Sequence, residues 1–203
     1  MFRNSLLLLL LLIPSIVNSQ NIDIRILRSI NSQSNLRSDN FFRLVSNSDA
    51  YMIGIIPAGV LTAGLVQKDK KMLRNGLTMV AAGVVNFGIT TVLKYSINRD
   101  RPFVTYPDLM KKSAAGSPSF PSGHTSSAFA MATSVSLTYP KWYIIAPSCL
   151  YAGAVGYSRM YLGVHYPSDV LAGAVIGAGS AWLTYEIGRK LNKHPKRKAC
   201  DCP

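Results

Sequence analysis

The stretch Gly76–Leu93, GLTMVAAGVVNFGITTVL, runs eighteen residues without a formal charge and stops at Lys94. As a helix it would extend about 27 Å, close to the roughly 30 Å hydrocarbon core of a bilayer. Tyr51–Val66, Thr125–Tyr139 and Trp142–Ser158 are equally free of charge, and Ser168–Tyr185 holds only Asp169, near its start. Tyr51, Tyr95, Tyr139, Trp142, Tyr143, Trp182 and Tyr185 lie near the ends of these runs, where an interfacial belt places its aromatic rings. The pattern predicts an all-α fold, a polytopic membrane helix bundle with about five transmembrane helices, or six if the N-terminal segment is retained.

Upstream of these runs, Leu6–Val17 follows Arg3 and precedes Asn18-Ser19-Gln20. A positive start, a dozen apolar residues and small residues at the end read as a signal peptide over residues 1–19, cut before Gln20. An uncleaved first helix is the competing reading, and Pro14 and the shortness of the run count against it. Residues 20–49 form an exterior amphipathic segment in which Ile24, Leu27, Phe41 and Phe42 alternate with Arg25, Arg28, Arg37 and Arg43. Packing against the bundle is favoured over lying on a bilayer surface. Residues 50–188 make the transmembrane domain, and 189–203 a basic tail.

Nearly half of the 203 residues are hydrophobic, yet 22 Lys and Arg face 9 Asp and Glu, for a net charge of +13. That apolar content excludes disorder. The charge alone would suit nucleic acid, but its placement between apolar runs argues against such a partner. Lys68, Lys70, Lys71, Arg74, Lys141, Arg189, Lys190, Lys193, Lys196, Arg197 and Lys198, eleven of the 22, fall on one side of a five-span chain. The positive-inside rule makes that side cytoplasmic. The expected location is a bacterial inner membrane, with Lys94–His124 and Arg159–Pro167 facing the periplasm.

Those two outer loops bring together Lys94, Arg101 and Arg159, the histidines His124 and His165, Asp169, and Ser122-Gly123 at a helix start. Fixed cations and backbone N–H groups at a helix N-terminus suit a tetrahedral oxyanion such as phosphate. His165 and Asp169 are four apart, so the carboxylate can reach one ring nitrogen and leave the other free as a nucleophile. Asp169 also stands where an N-cap carboxylate is ordinary. Arg99 and Asp100 read as a local surface pair of small value. Lys111 and Lys112 read as a solvated loop, with attraction of an anionic headgroup as the alternative. Mid-helix Cys149 is expected to pack as a small apolar residue. Cys200, Cys202 and His194 are too sparse for a zinc site. Gly173 and Gly177 would let one helix back closely onto another.

Three segments resemble the signatures of the type 2 phosphatidic acid phosphatase superfamily: Lys94, six residues, Arg101-Pro102; then Pro121-Ser122-Gly123-His124; then Ser158-Arg159, five residues, His165, three residues, Asp169. They occur in order and without departure. The resemblance implies a metal-independent phosphohydrolase, with no cofactor, that works through a phosphohistidine. It implies that His165 attacks phosphorus, Asp169 orients it, and His124 protonates the leaving oxygen and then activates water. Lys94, Arg101, Arg159, Ser122 and the Gly123 amide would hold the phosphoryl oxygens. The implied partner is a phosphorylated lipid in the membrane, with a lipid A-type substrate favoured. Undecaprenyl diphosphate, phosphatidylglycerol phosphate and phosphatidic acid are the alternatives within the family. Its vanadium haloperoxidases are soluble, which the apolar spans oppose. A non-catalytic anionic-lipid-binding protein would lack residues that are all present here.

Overall fold

The computed structural model describes residues 15–31 and 35–191. Most of the expected signal peptide, and the tail with His194, Cys200 and Cys202, lie outside the described residues. Among the described residues seven helices follow in order: α1 (Ser15–Asn31), α2 (Leu36–Val66), α3 (Lys70–Ile97), the single turn α4 (Pro102–Thr105), α5 (Gly123–Thr138), α6 (Trp142–Tyr161) and α7 (Pro167–Leu191). The five expected spans fall on α2, α3, α5, α6 and α7. Of these, α2, α3 and α7 are long and apolar enough to cross a membrane on their own. Ile55, Val84, Phe87, Leu150, Leu171 and Val175 stand exposed around the bundle, Phe87 by 72%. An apolar outer surface of this extent belongs in lipid.

Asn35 starts α2 by accepting a hydrogen bond from the Arg37 N–H, and Asp69 starts α3 by accepting from Lys71 and Met72. These side-chain caps satisfy amides that a helix leaves without partners. α2 runs unbroken across Asp49, where the sequence suggested a boundary between exterior segment and first span. Ser46-Asn47-Ser48-Asp49 is polar but contains no Gly or Pro, so nothing there ends a helix. Its buried members, Ser46 and Asp49, face inward.

The shortest span helix, α5, sits at the centre, against α2, α3, α6 and α7. Its sequence explains this position, because the buried face is Thr125, Ser126, Ala128, Ala130, Met131, Ala132 and Ser134. Small side chains let neighbouring backbones approach. A Cβ on Gly177 would meet the Ser126 carbonyl oxygen at 2.0 Å, and one on Gly173 would meet the Ser122 oxygen at 2.7 Å. Polar contacts join α3 to α5: Ser126 Oγ donates to Asn86 Oδ1 at 2.5 Å and lies 3.2 Å from Thr90 Oγ1.

The segment read as amphipathic packs on the end of the bundle that carries α4. Ile24 and Leu27 of α1 are buried with Leu109 and Tyr166. Cys149, expected to pack inside α6, is instead exposed. Its position on the helix turns it away from α5, so the thiol contributes nothing to the core.

Gly177 therefore tolerates no side chain, while a Cβ on Gly179 of the same helix would have nothing within 4 Å. Gly177→Ala should lower stability in detergent by about 2 kcal/mol or more, because the clash is with backbone. Gly179→Ala should be neutral or gain up to about 1 kcal/mol from helix propensity. Denaturant unfolding of the two variants separates backbone contact from a general dislike of alanine in α7.

Candidate active site

All eight residues singled out by sequence lie at one end of the bundle. Lys94 is in the last turn of α3, Arg101 is the N-cap of α4, and Ser122 is the N-cap of α5. Gly123 and His124 open α5, Arg159 lies in the last turn of α6, His165 in the short α6–α7 link, and Asp169 in the first turn of α7. Two connections, residues 98–122 between α3 and α5 and 162–166 between α6 and α7, thus converge because the helices alternate in direction.

His165 and Asp169 are both buried, with Nδ1 of the imidazole 3.6 Å from Oδ2 of the carboxylate. That is slightly longer than a hydrogen bond. His165 Nδ1 makes no other bond. Burial, reinforced by the charges of Arg159 and Arg101, pushes the His165 imidazole down from 6.5 to about 3, despite the opposing pull of Asp169. The ring is therefore neutral at physiological pH, the state a nitrogen nucleophile needs.

Asp169 is held from several sides. Oδ2 accepts from Ser119 Oγ at 2.5 Å and from the Tyr166 N–H at 3.0 Å. Its backbone oxygen accepts the Ser122 N–H at 3.0 Å, which ties the start of α5 to the start of α7. The carboxylate thus bonds an amide at the start of α7, as the capping reading expects, while His165 Nδ1 stands beside it at 3.6 Å without a hydrogen bond.

The cations are also anchored. Lys94 Nζ donates to the Pro118 oxygen at 2.6 Å. Arg101 donates from Nε to the Ser117 oxygen at 2.7 Å and from Nη1 to the Val164 oxygen at 2.9 Å. Burial lowers the Arg101 pKa from its ordinary value, opposed by the nearby Asp169. Arg159, 3% exposed, donates from Nη1 to Ser46 Oγ at 2.5 Å, and its Nε is buried without a partner. The Ser122 hydroxyl lies 2.9 Å from Thr125 Oγ1, and a Cβ on Gly123 would come within 3.8 Å of Lys94 Cε. The first amides of a helix have no acceptor within it, and α5 begins at Gly123 and His124.

His124 lines two spaces. One, of about 440 Å³, lies between α2 and α3 and includes Ala50, Ile53, Gly83, Phe87 and Thr91 as well as Lys94. The other, of about 540 Å³, is a polar cleft shared with Arg159.

The sequence missed several supporting residues. Arg99 is not a surface partner of Asp100. Its Nη1 donates to Asp169 Oδ1 at 2.7 Å and to Ser168 Oγ at 2.8 Å, its Nη2 reaches Asp23 Oδ2 at 3.3 Å, and the guanidinium stacks 4.0 Å from the Tyr166 ring centroid. Asp23, on α1, also accepts the Ser168 N–H at 3.1 Å and the Ser168 hydroxyl, and so caps α7 from another helix. Asp49 accepts from Ser127 on α5. Lys112 is not solvated either: it is buried, 3.5 Å from Asp39 and 4.2 Å from the Tyr161 ring centroid. Lys111 does stand exposed, with its ammonium over the Phe103 ring. One sequence signal could have found the α2 residues. Asp39, Ser46 and Asp49 fall on one face of α2 at helical spacing.

The model of the PAP2 superfamily matches residues 72–193, which contain every one of these site positions except the α1 and α2 partners. The chain belongs to the PAP2 superfamily. Among its relatives, an undecaprenyl-diphosphatase of Sulfolobus acidocaldarius is 34% identical over 119 residues, 58% of this chain and 57% of that protein. A lipid A 4'-phosphatase of Bacteroides thetaiotaomicron is 34% identical over 94 residues, 46% of this chain and 42% of that one. The chain thus spans about half the length of these two curated relatives. The fold is similar throughout to the crystal structure of a transmembrane PAP2 type phosphatidylglycerolphosphate phosphatase from Bacillus subtilis. There the TM-score is 0.73 at 25% identity, covering 94% of this chain and 98% of that one. This PAP2 chain is therefore an all-helical, multi-pass membrane protein.

Removing Arg99 leaves the Asp169 carboxylate buried without its counter-charge. Arg99→Met should cost about 3 kcal/mol of stability, as loss of one partner of a buried ion pair does. Arg99→Lys should recover part of it. In a double-mutant cycle with Asp23→Asn, a coupling energy near zero would contradict the shared network.

Proposed function

We propose that this PAP2 protein is a membrane lipid phosphatase that removes a phosphate through a phosphohistidine on His165, without a metal ion. The observation that carries the reading is the buried, neutral His165 beside Asp169 at the same bundle end as Lys94, Arg101, Arg159 and His124. In the proposed cycle, His165 Nε2 attacks phosphorus while the P–O bond to the lipid breaks. His124 gives the leaving oxygen its proton. Asp169 takes the developing charge on the imidazole through Nδ1–H, and Arg99 with Ser119 keeps that carboxylate in place. His124, now unprotonated, removes a proton from water, which attacks phosphorus, breaks the P–N bond and releases phosphate. Phosphoryl transfer is chiefly positioning and charge stabilisation, and three fixed cations supply the positive charge.

An amphiphilic substrate is supported by the space between α2 and α3, which joins exposed apolar side chains to Lys94 and His124. A lipid A-type phosphate is the favoured substrate, as the name of the Bacteroides relative describes for that protein. Undecaprenyl diphosphate and phosphatidylglycerol phosphate are the alternatives, on the same grounds. The site faces the periplasm of a bacterial inner membrane in this reading. At the opposite end of the bundle Lys71, Arg74 and Arg189 border one space, as expected of a cytoplasmic face rich in cations.

Phosphate release from a short-chain phospholipid should continue undiminished in EDTA and fall by about a thousandfold or more in His165→Ala. Equal rates for wild type and variant would remove the nucleophile, and a requirement for a divalent ion would remove the metal-free mechanism. For topology, a membrane-impermeant thiol reagent on intact cells should leave Cys200 and Cys202 unlabelled. Labelling of either would place the site on the cytoplasmic side.

A further inference from the structure

The cleft that joins His124 to Arg159 has an electrostatic character that a single phosphate does not call for. It encloses about 540 Å³, and every charged side chain on its wall is basic: Arg43 from α2, Lys111 and Lys112 from the α4–α5 connection, and Arg159. Asp39, the carboxylate that balances Lys112, is 6% exposed and forms no part of that wall. Arg43 Nε donates to the Lys112 oxygen at 2.6 Å, which fixes the loop carrying both lysines onto α2. Arg159 brings its buried, unpartnered Nε to the junction. Lys94 borders the other space, with His124 common to both. A cation-lined concavity with no acid on its surface concentrates anions at its mouth.

We propose that this cleft is a second anion subsite, which holds a further negatively charged group on the part of the substrate that departs. The assignment rests on the phosphatase reading, in which His124 stands on the leaving-group side. The preferred substrate then carries at least two anionic groups, either as a diphosphate or as a headgroup with a second, separate phosphate. Arg43 and Lys111 are the contacts that would distinguish it from a one-phosphate lipid.

The test compares kcat/KM of the full-length protein in detergent for three substrates. They are short-chain phosphatidic acid, farnesyl diphosphate, and a lipid-linked glucosamine disaccharide carrying two separated phosphates. Lys111→Glu should reduce the preference for a two-anion over the one-anion substrate by about five- to tenfold, the scale of a partly exposed charge contact reversed in sign. The loss should appear in KM. Raising salt should shrink the same preference in the wild type. A loss confined to farnesyl diphosphate supports the subsite with an adjacent phosphate as its occupant. A loss confined to the disaccharide supports it with a remote one. An equal change for all three substrates, or none, overturns the subsite. If wild type hydrolyses none of them, the phosphatase reading fails separately, and calorimetric titration with inorganic diphosphate decides the subsite. Weaker binding by Lys111→Glu than by wild type supports it, and equal binding overturns it.

Discussion

One buried carboxylate organises the end of the bundle that holds the candidate site. Asp169 is fully inaccessible, and its two oxygens and backbone carbonyl engage Arg99, Ser119, the Tyr166 amide, the Ser122 amide and, more loosely, His165. An ionised carboxylate taken out of water costs several kcal/mol unless it is paired and hydrogen-bonded. Its partners come from the end of α3, the loop before α5, the start of α5 and the start of α7. Satisfying one charge therefore holds four chain segments in register. Through Arg99 the same network reaches Asp23, so that α1 becomes part of the support for the site.

A second constraint complements the first. α5 presents alanines, serines and threonines to its neighbours, and α7 answers with Gly173 and Gly177, whose backbones nearly touch it. Helices in lipid gain little from burying apolar side chains, since the solvent is equally apolar. Close packing and short polar contacts such as Ser126 to Asn86 take over that role. The outer surface is correspondingly large-residue and apolar, while the buried face of the central α5 is mostly small and partly polar.

Much of this was legible in the sequence, and the failures have physical causes. Charge-free runs bounded by cations and aromatic rings give spans directly, because lipid tolerates few alternatives. The candidate positions stand out because their spacing puts unusual residue types at or near helix ends. Arg99 was misread because its neighbour Asp100 offered a local partner, whereas its real partners lie 70 and 76 positions away. Asp23, Asp39, Ser46 and Asp49 were missed as site components for a related reason. They are polar residues in a segment where polarity looked like exposure, yet each is buried against a cation or hydroxyl across the bundle. Patterning along one helix reports which residues are polar, but not whether water or another helix satisfies them.

The length of α5 has a consequence for where the chemistry occurs. Sixteen residues rise only about 24 Å, several ångströms less than the hydrocarbon layer its neighbours span. Its first turn is fixed beside that of α7 by the Ser122 amide on the Asp169 oxygen, so the shortfall does not lower His124 relative to Asp169. In the phosphatase reading proposed above, both groups then meet a lipid phosphate at one depth, and the lipid chains stay in the bilayer.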